Sequence, residues 1–292
     1  MNVIVTKYLT LYLETSALVA FRLILATSFL LPVALLRHGF VHLSPKAWVL
    51  VGGIALWSFV VHQLALVWGV ANTSGTHAVL ILGLMPLATT FLASIFLKEG
   101  LNSNKIIGLI LAFGGVILVA LNKGSAQVTI VGDVMMFIAM LAYASGSILV
   151  KKCAVHAPSL IISAYSITIA SIAVFIMMVS TGVNIETSVV IQPGPIAALI
   201  YLSWISTGLG TLWWNEGIYK IGASATSIFF NGVPVIGVLG SITFLGDKLL
   251  LAHVVALVLI LLGVSLGTSG GFKQFKLLFI KDAKLAEAEE TD

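Results

Sequence analysis

Residues that could do chemistry are few in this chain, and most sit inside apolar runs. His62 and Gln63 adjoin within "LWSFVVHQLALVWGV" at 56–70. An imidazole in such a run needs a partner, so His62 is either a contact for a polar solute or a core histidine satisfied by a neighbour. Ser203, Ser206, Thr207, Gly210 and Trp214 recur at helical spacing, as do Ala55, Ser58, His62 and Leu66. A small, mildly polar face either admits a neighbouring helix or leaves room for solute, and for the serines and the glycine close packing is favoured. Ser206 stays beside His62, Gln63 and Asn231 as a candidate substrate contact. Trp57, Tyr143 and Trp204 fall in the middle thirds of their runs and offer rings for stacking, although large aromatics also simply fill cores. Trp68, Trp213 and Trp214, near run ends, suit the membrane interface, as does His77. Arg22 either meets a substrate carboxylate or extends toward headgroups, and a structural role is expected of it.

Two prolines complete the set. "LGLMPLATTFLASIFLKE" at 82–99 and "FNGVPVIGVLGSITFLGD" at 230–247 each carry a proline inside an apolar run and an acid thirteen residues later. Lacking an N–H, Pro86 and Pro234 free the carbonyls of Leu82 and Phe230, kinking both helices. Freed carbonyls are tolerated where they face protein or a wet cavity, so both kinks are expected to line one. The acids Glu99 and Asp247 sit at loop edges, where capping or pairing is expected.

Other chemistries lack their spacing. HExxH and a glycine-rich phosphate loop are missing from the sequence, and one cysteine, Cys153, makes no cluster. No metal site and no cofactor are expected, and no enzymatic activity. Lysines and arginines are scattered along the chain, without a basic patch bearing aromatics, which sets nucleic acid aside despite a net charge of +4.

The elements that must position these residues follow from composition. Of 292 residues 59% are apolar and 9% charged, with a mean hydropathy of +1.12. Such a chain faces lipid over most of its surface. Apolar runs long enough to cross a bilayer cover 16–36, 47–70, 75–97, 105–122, 130–150, 158–180, 195–216, 223–245 and 249–267. The opening "MNVIVTKYLTLYLE" supplies half a further span without the charged head or cleavage site of a signal peptide. With "RHGFVHLSPK" placed in the cytoplasm, eleven basic residues fall inside and three, Lys7, Lys123 and Lys248, outside.

At an offset of 148 residues Pro86 meets Pro234, Glu99 meets Asp247, Gly115 meets Gly263, and Phe96 meets Phe244 in one ungapped register. "LVKK" at 149–152 resembles "IVTK" at 4–7, so each half holds five helices. An odd count makes homologous halves enter the membrane from opposite sides, giving inverted repeats that can open to either face in turn.

"LWWNEGIYKIGASATSIFFNGVPVIGVLGSITFLGDKL" at 212–249 resembles the signature block of the drug/metabolite transporter superfamily, EamA-type branch, and "LVWGVANTSGTHAVLILGLMPLATTFLASIFLKEGL" at 66–101 resembles it again. "FRLILA" at 21–26 and "FGGVILVAL" at 113–121 extend the likeness. The resemblance implies ten helices, cytoplasmic termini, a cell (inner) membrane location and outward movement of small metabolites, commonly amino acids. The chain departs at its start, where the family's first helix is longer than the stretch before Glu14.

The expected fold is therefore an all-α integral membrane, ten-helix-type bundle of two inverted five-helix repeats with a truncated first helix. The repeats cover 1–122 and 123–268, and 269–292 forms a cytoplasmic tail whose Phe272, Phe275, Leu278 and Phe279 lie on the membrane surface. The expected partners are a small-molecule substrate and the lipid bilayer. A non-transporting scaffold and an intramembrane enzyme are the alternatives.

Overall fold

The computed structural model describes residues 1–98, 100, 103–121, 128–182 and 192–267. Glu99 and the surface helix expected over 269–292 lie outside these residues. The described residues form the helices α1 (Asn2–Leu9), α2 (Thr15–His38), α3 (Pro45–Asn72), α4 (Gly75–Phe96), α5 (Ser103–Leu121), α6 (Ile130–Cys153), α7 (Ser159–Ser180), α8 (Pro193–Ile221), α9 (Ala223–Leu245) and α10 (Leu251–Gly267), together with short turns. Eight of these, α2 to α9, are long and apolar enough to cross a membrane, and α10 is a shorter apolar helix. The nine expected spans are all present as helices, and α1 covers eight residues.

Local chemistry sets the helix starts. Ser44, Ser74 and Thr129 accept hydrogen bonds from the N–H groups of Ala47, His77 and Gly132, satisfying donors that a helix start leaves unpaired. Lys7 of α1 donates to the carbonyls of Val70 (2.7 Å), Ala71 (3.2 Å) and Thr73 (2.7 Å), placing a cation on the carbonyl-rich end of α3.

Four of the described helices depart from regularity, and the departures pair across the halves. α3 is π-helical over Ala55–Val61 and α8 over Tyr201–Leu209, widened stretches that end just before His62 and Gly210, themselves 148 residues apart. α4 breaks at Gly83–Leu84 and resumes at Met85, with Pro86 in the new first turn, where its missing N–H is harmless. α9 passes from Ala223–Ser227 through a 3₁₀ turn, Ile228–Asn231, into Gly232–Leu245, with Pro234 again in the first turn. The expected kinks are present. They pack on each other: a methyl on Gly83 would fall 2.5 Å from Pro234 Cγ, and Ser227 Oγ donates to the Pro86 carbonyl at 3.5 Å.

Helix neighbours exchange in the same way. α1 packs on α8 and α3 on α6, α2 on α7, and α4 on α9. On α5 and α10, Gly108 approaches Gly263 so closely that a methyl on either would lie 2.3–2.4 Å from the other's carbonyl oxygen, and Gly115 approaches Ala256. Adding 148 to Gly108 and subtracting it from Gly263 gives Ala256 and Gly115, so one contact is the image of the other. The pair is antiparallel, because the partner number falls as the first rises. The turns after α4 and α9 match too: Lys98 (φ 57°) and Gly246 (φ 69°) are both left-handed.

The outside of the bundle is as apolar as its inside. Ile106, Ile110 and Ile117 of α5 and Val254, Val258 and Leu262 of α10 are exposed. In lipid such surfaces need no cover, so helix association depends on close approach and hydrogen bonds.

Candidate functional site

Near the middle of the spans the two halves enclose a cavity of about 420 Å³. The irregular segments wall it: His62, Gln63 and Leu66 follow the π-helical stretch of α3, Ser206, Thr207 and Gly210 belong to or follow that of α8, and Phe230 and Val233 flank the break in α9. A widened turn swings these side chains away from the positions that a 3.6-residue repeat would give them.

One wall is aromatic. Tyr143 of α6 lies 4.7 Å from the His62 ring, 5.9 Å from Trp214 and 6.1 Å from Phe230, centroid to centroid, and Trp214 meets Phe230 edge-on at 4.8 Å. Trp214 Nε1 donates to Ser147 Oγ at 3.2 Å. His62 Nδ1 lies 2.8 Å from the Ala139 carbonyl, and since a carbonyl only accepts, Nδ1 carries the proton.

The polar atoms are unevenly satisfied. Asn2 Nδ2 donates to Ser206 Oγ at 2.6 Å. Arg22 is 1% exposed; its Nε donates to Thr207 Oγ1 at 2.6 Å. Arg22 Nη1 and Gln63 Oε1 are buried without a hydrogen-bond partner. No acidic side chain stands among the described residues lining the cavity.

Of the residues singled out from sequence, His62, Gln63, Tyr143 and Ser206 line this cavity together. Trp57 and Trp204 do not: they are 43% and 41% exposed on the outer face of the bundle, where Trp204 stacks on Phe29. Both lie inside the π-helical segments, where helical spacing misjudges the direction of a side chain. Asn231 lies outside the lining, in the 3₁₀ turn between Phe230 and Gly232, with Oδ1 buried and unpartnered. Pro86 and Pro234 also lie outside it, because the breaks they cause turn toward each other; Met85, Leu82 and Val233 take the expected places. Trp214, expected at the interface, faces the cavity since α8 runs on to Ile221.

A second polar group closes one end of the bundle. Asp133, in the first turn of α6, accepts from Thr73 Oγ1 (2.5 Å) and from His77 Nδ1 (3.1 Å). His77 is therefore fully buried and hydrogen-bonded to a carboxylate, not interfacial. Asp247 accepts from the N–H and hydroxyl of Thr76 at 2.7 and 2.9 Å, so an acid of one half caps a helix of the other, in keeping with the pairing expected for it. Thr129 bonds the Asn72 carbonyl through both N–H (3.1 Å) and hydroxyl (2.8 Å). At the opposite end Tyr165 exchanges two bonds with Val41, at 3.2 and 3.3 Å. Sequence reasoning passed over Asp133, although an acid in the first turn of an apolar span was a visible signal.

The family model described as "EamA-like transporter family" matches residues 1–121 and 130–268. "Uncharacterized transporter YyaM" of Bacillus subtilis (strain 168) is 30% identical over 267 residues, 88% of this chain and 86% of that protein. An "Uncharacterized transporter" of Archaeoglobus fulgidus is 24% identical over 262 residues, 88% of this chain and 90% of its own. A protein of known crystal structure superposes with a TM-score of 0.67 at 15% identity, over 91% of this chain and 95% of that one, a likeness of fold alone.

Proposed function

Because the chain belongs to the EamA-like transporter family and is a polytopic membrane transporter, we propose that it exports small metabolites, amino acids or related compounds, by alternating access. The observation that carries this reading is the cavity of about 420 Å³ held between two halves whose contacts exchange under a 148-residue shift. A cavity of that size suits a solute of amino-acid dimensions. Halves that can exchange shapes supply two conformations of similar energy, one open to each face.

The residues proposed to touch the solute are His62, Gln63, Tyr143 and Ser206, joined by Trp214. The lysine distribution supports an external position for the Thr73 end and a cytoplasmic C-terminus in the cell membrane. On that orientation five hydrogen bonds from Thr73, Thr76, His77 and Thr129 (Oγ1 to Asn72) across the halves hold the external end shut.

Uptake into proteoliposomes of the purified chain, with a panel of labelled amino acids and with or without an imposed pH gradient, tests the proposal. Saturable movement of a panel member, lost in a folded His62→Ala variant, supports it. Movement of none, or product formation without net movement, would turn the reading toward a scaffold or an enzyme.

A further inference from the structure

Arg22 holds a charge that no acidic side chain of the described cavity lining answers. A guanidinium stays protonated in proteins, and this one is buried at the cavity wall with one donor engaged by Thr207 and another, Nη1, engaged by nothing. A buried donor without an acceptor is costly, and a buried cation without an anion more so. The described lining supplies no acid. A ligand can supply one.

We propose that Arg22 is the anion subsite of the cavity, and that the solute carried bears one carboxylate on an apolar or aromatic body. This rests on the carrier reading above and names its substrate class. The carboxylate accepts from Arg22 Nη1, while the body lies against the rings of Tyr143, Trp214 and Phe230. Gln63 Oε1, the other fully buried unpartnered side-chain atom of the described lining, accepts from an N–H of the same molecule, which admits α-amino acids. An amine without a carboxylate meets a like charge and leaves Arg22 unpaired. A phosphate dianion or a dicarboxylate brings a second negative charge, and Arg22 is the single lysine or arginine of the described lining. The cross-half bond to Thr207 fixes the guanidinium at the seam that must move, so the solute's charge is held where the two halves meet.

The test uses three probes of one shape, 3-phenylpropionate, 3-phenylpropanamide and phenethylamine, and measures the melting temperature of the purified full chain across a titration of each. The acid is expected to stabilise the native chain, with the amide and amine much weaker. Arg22→Gln is expected to weaken acid binding by about tenfold to a hundredfold, the loss of one charge-assisted bond, and to leave amide binding unchanged. Arg22→Lys keeps the charge without the fork and retains part of the acid preference. That variant keeps the test decisive should the glutamine variant not fold. Equal stabilisation by acid and amide, stabilisation by neither, or an acid preference that survives Arg22→Gln would overturn the subsite. Counterflow in proteoliposomes separates the two readings: amide and acid moved alike leave the carrier and remove the subsite, whereas an acid that binds and never crosses leaves the subsite and removes the carrier.

Discussion

Replacing Gly263 by alanine puts a number on the way α5 and α10 associate. The new methyl would lie 2.4 Å from the Gly108 carbonyl oxygen and 2.8 Å from the Ala112 nitrogen, where real contacts begin near 3.0 Å. Both obstacles are backbone, so no side chain can rotate away and the helices must part by several tenths of an ångström. A gap of that order removes roughly a quarter of the dispersion energy of each facing pair. Overpacking of this kind costs about 1–3 kcal/mol, offset by up to about 1 kcal/mol for alanine's better helix propensity. The net loss of about 1–2 kcal/mol lowers the melting temperature by about 2–8 °C. Gly108→Ala, blocked at 2.3 Å, should match it; Gly115→Ala, first obstructed at 2.9 Å, should cost less; Gly114→Ala, with nothing within 4 Å, should be neutral or stabilising. Thermal unfolding of the four variants in one detergent gives the order. A Gly263→Ala protein that melts as high as Gly114→Ala would refute the close antiparallel contact and the pairing of halves built on it.

Asp133→Asn weakens two bonds at the Thr73 end while keeping an acceptor for Thr73; a loss of about 1–2 kcal/mol shifts the population open at that end by roughly 5–30-fold, read as faster labelling of a reporter thiol at Ser206 from that side. Trp57→Ala and Trp204→Ala should leave the KM for transport unchanged within about twofold, whereas Trp214→Ala should raise it by about tenfold, since burying a large ring against solute is worth on the order of 1–2 kcal/mol. Lys98→Gly should stabilise the chain by about 1 kcal/mol by relieving a left-handed side chain, as chemical denaturation can show.

Much of this architecture was legible in the residues. Apolar runs set the spans, Pro86 and Pro234 marked the two broken helices, and the match of Gly115 with Gly263 anticipated a contact pattern that repeats under the same shift. His62 and Gln63 were legible because polar atoms in apolar runs need partners, Tyr143 as a ring in the middle of its run, and Ser206 as part of a small, mildly polar face. What escaped was direction. Position along a run gives depth, but the facing of Trp57 and Trp204 depends on π-helical segments that no residue type announces. Pairing over long separations escaped as well. His77 began a span and looked interfacial until Asp133, 56 positions on, came to rest beside it. Arg22 was legible as either a carboxylate contact or a headgroup anchor, with a structural role expected; its bond to Thr207, 185 positions away, and its unpartnered Nη1 are what the fold adds.

Two-sided access to the cavity is tested most directly by a single thiol at its wall. The chain has one cysteine, Cys153, which is buried; in a Cys153→Ala background, Ser206→Cys is treated with a membrane-impermeant thiol reagent in right-side-out and inverted vesicles. Labelling is expected from both faces, with solute slowing both. Labelling from one face only, whatever the solute, would contradict alternating access.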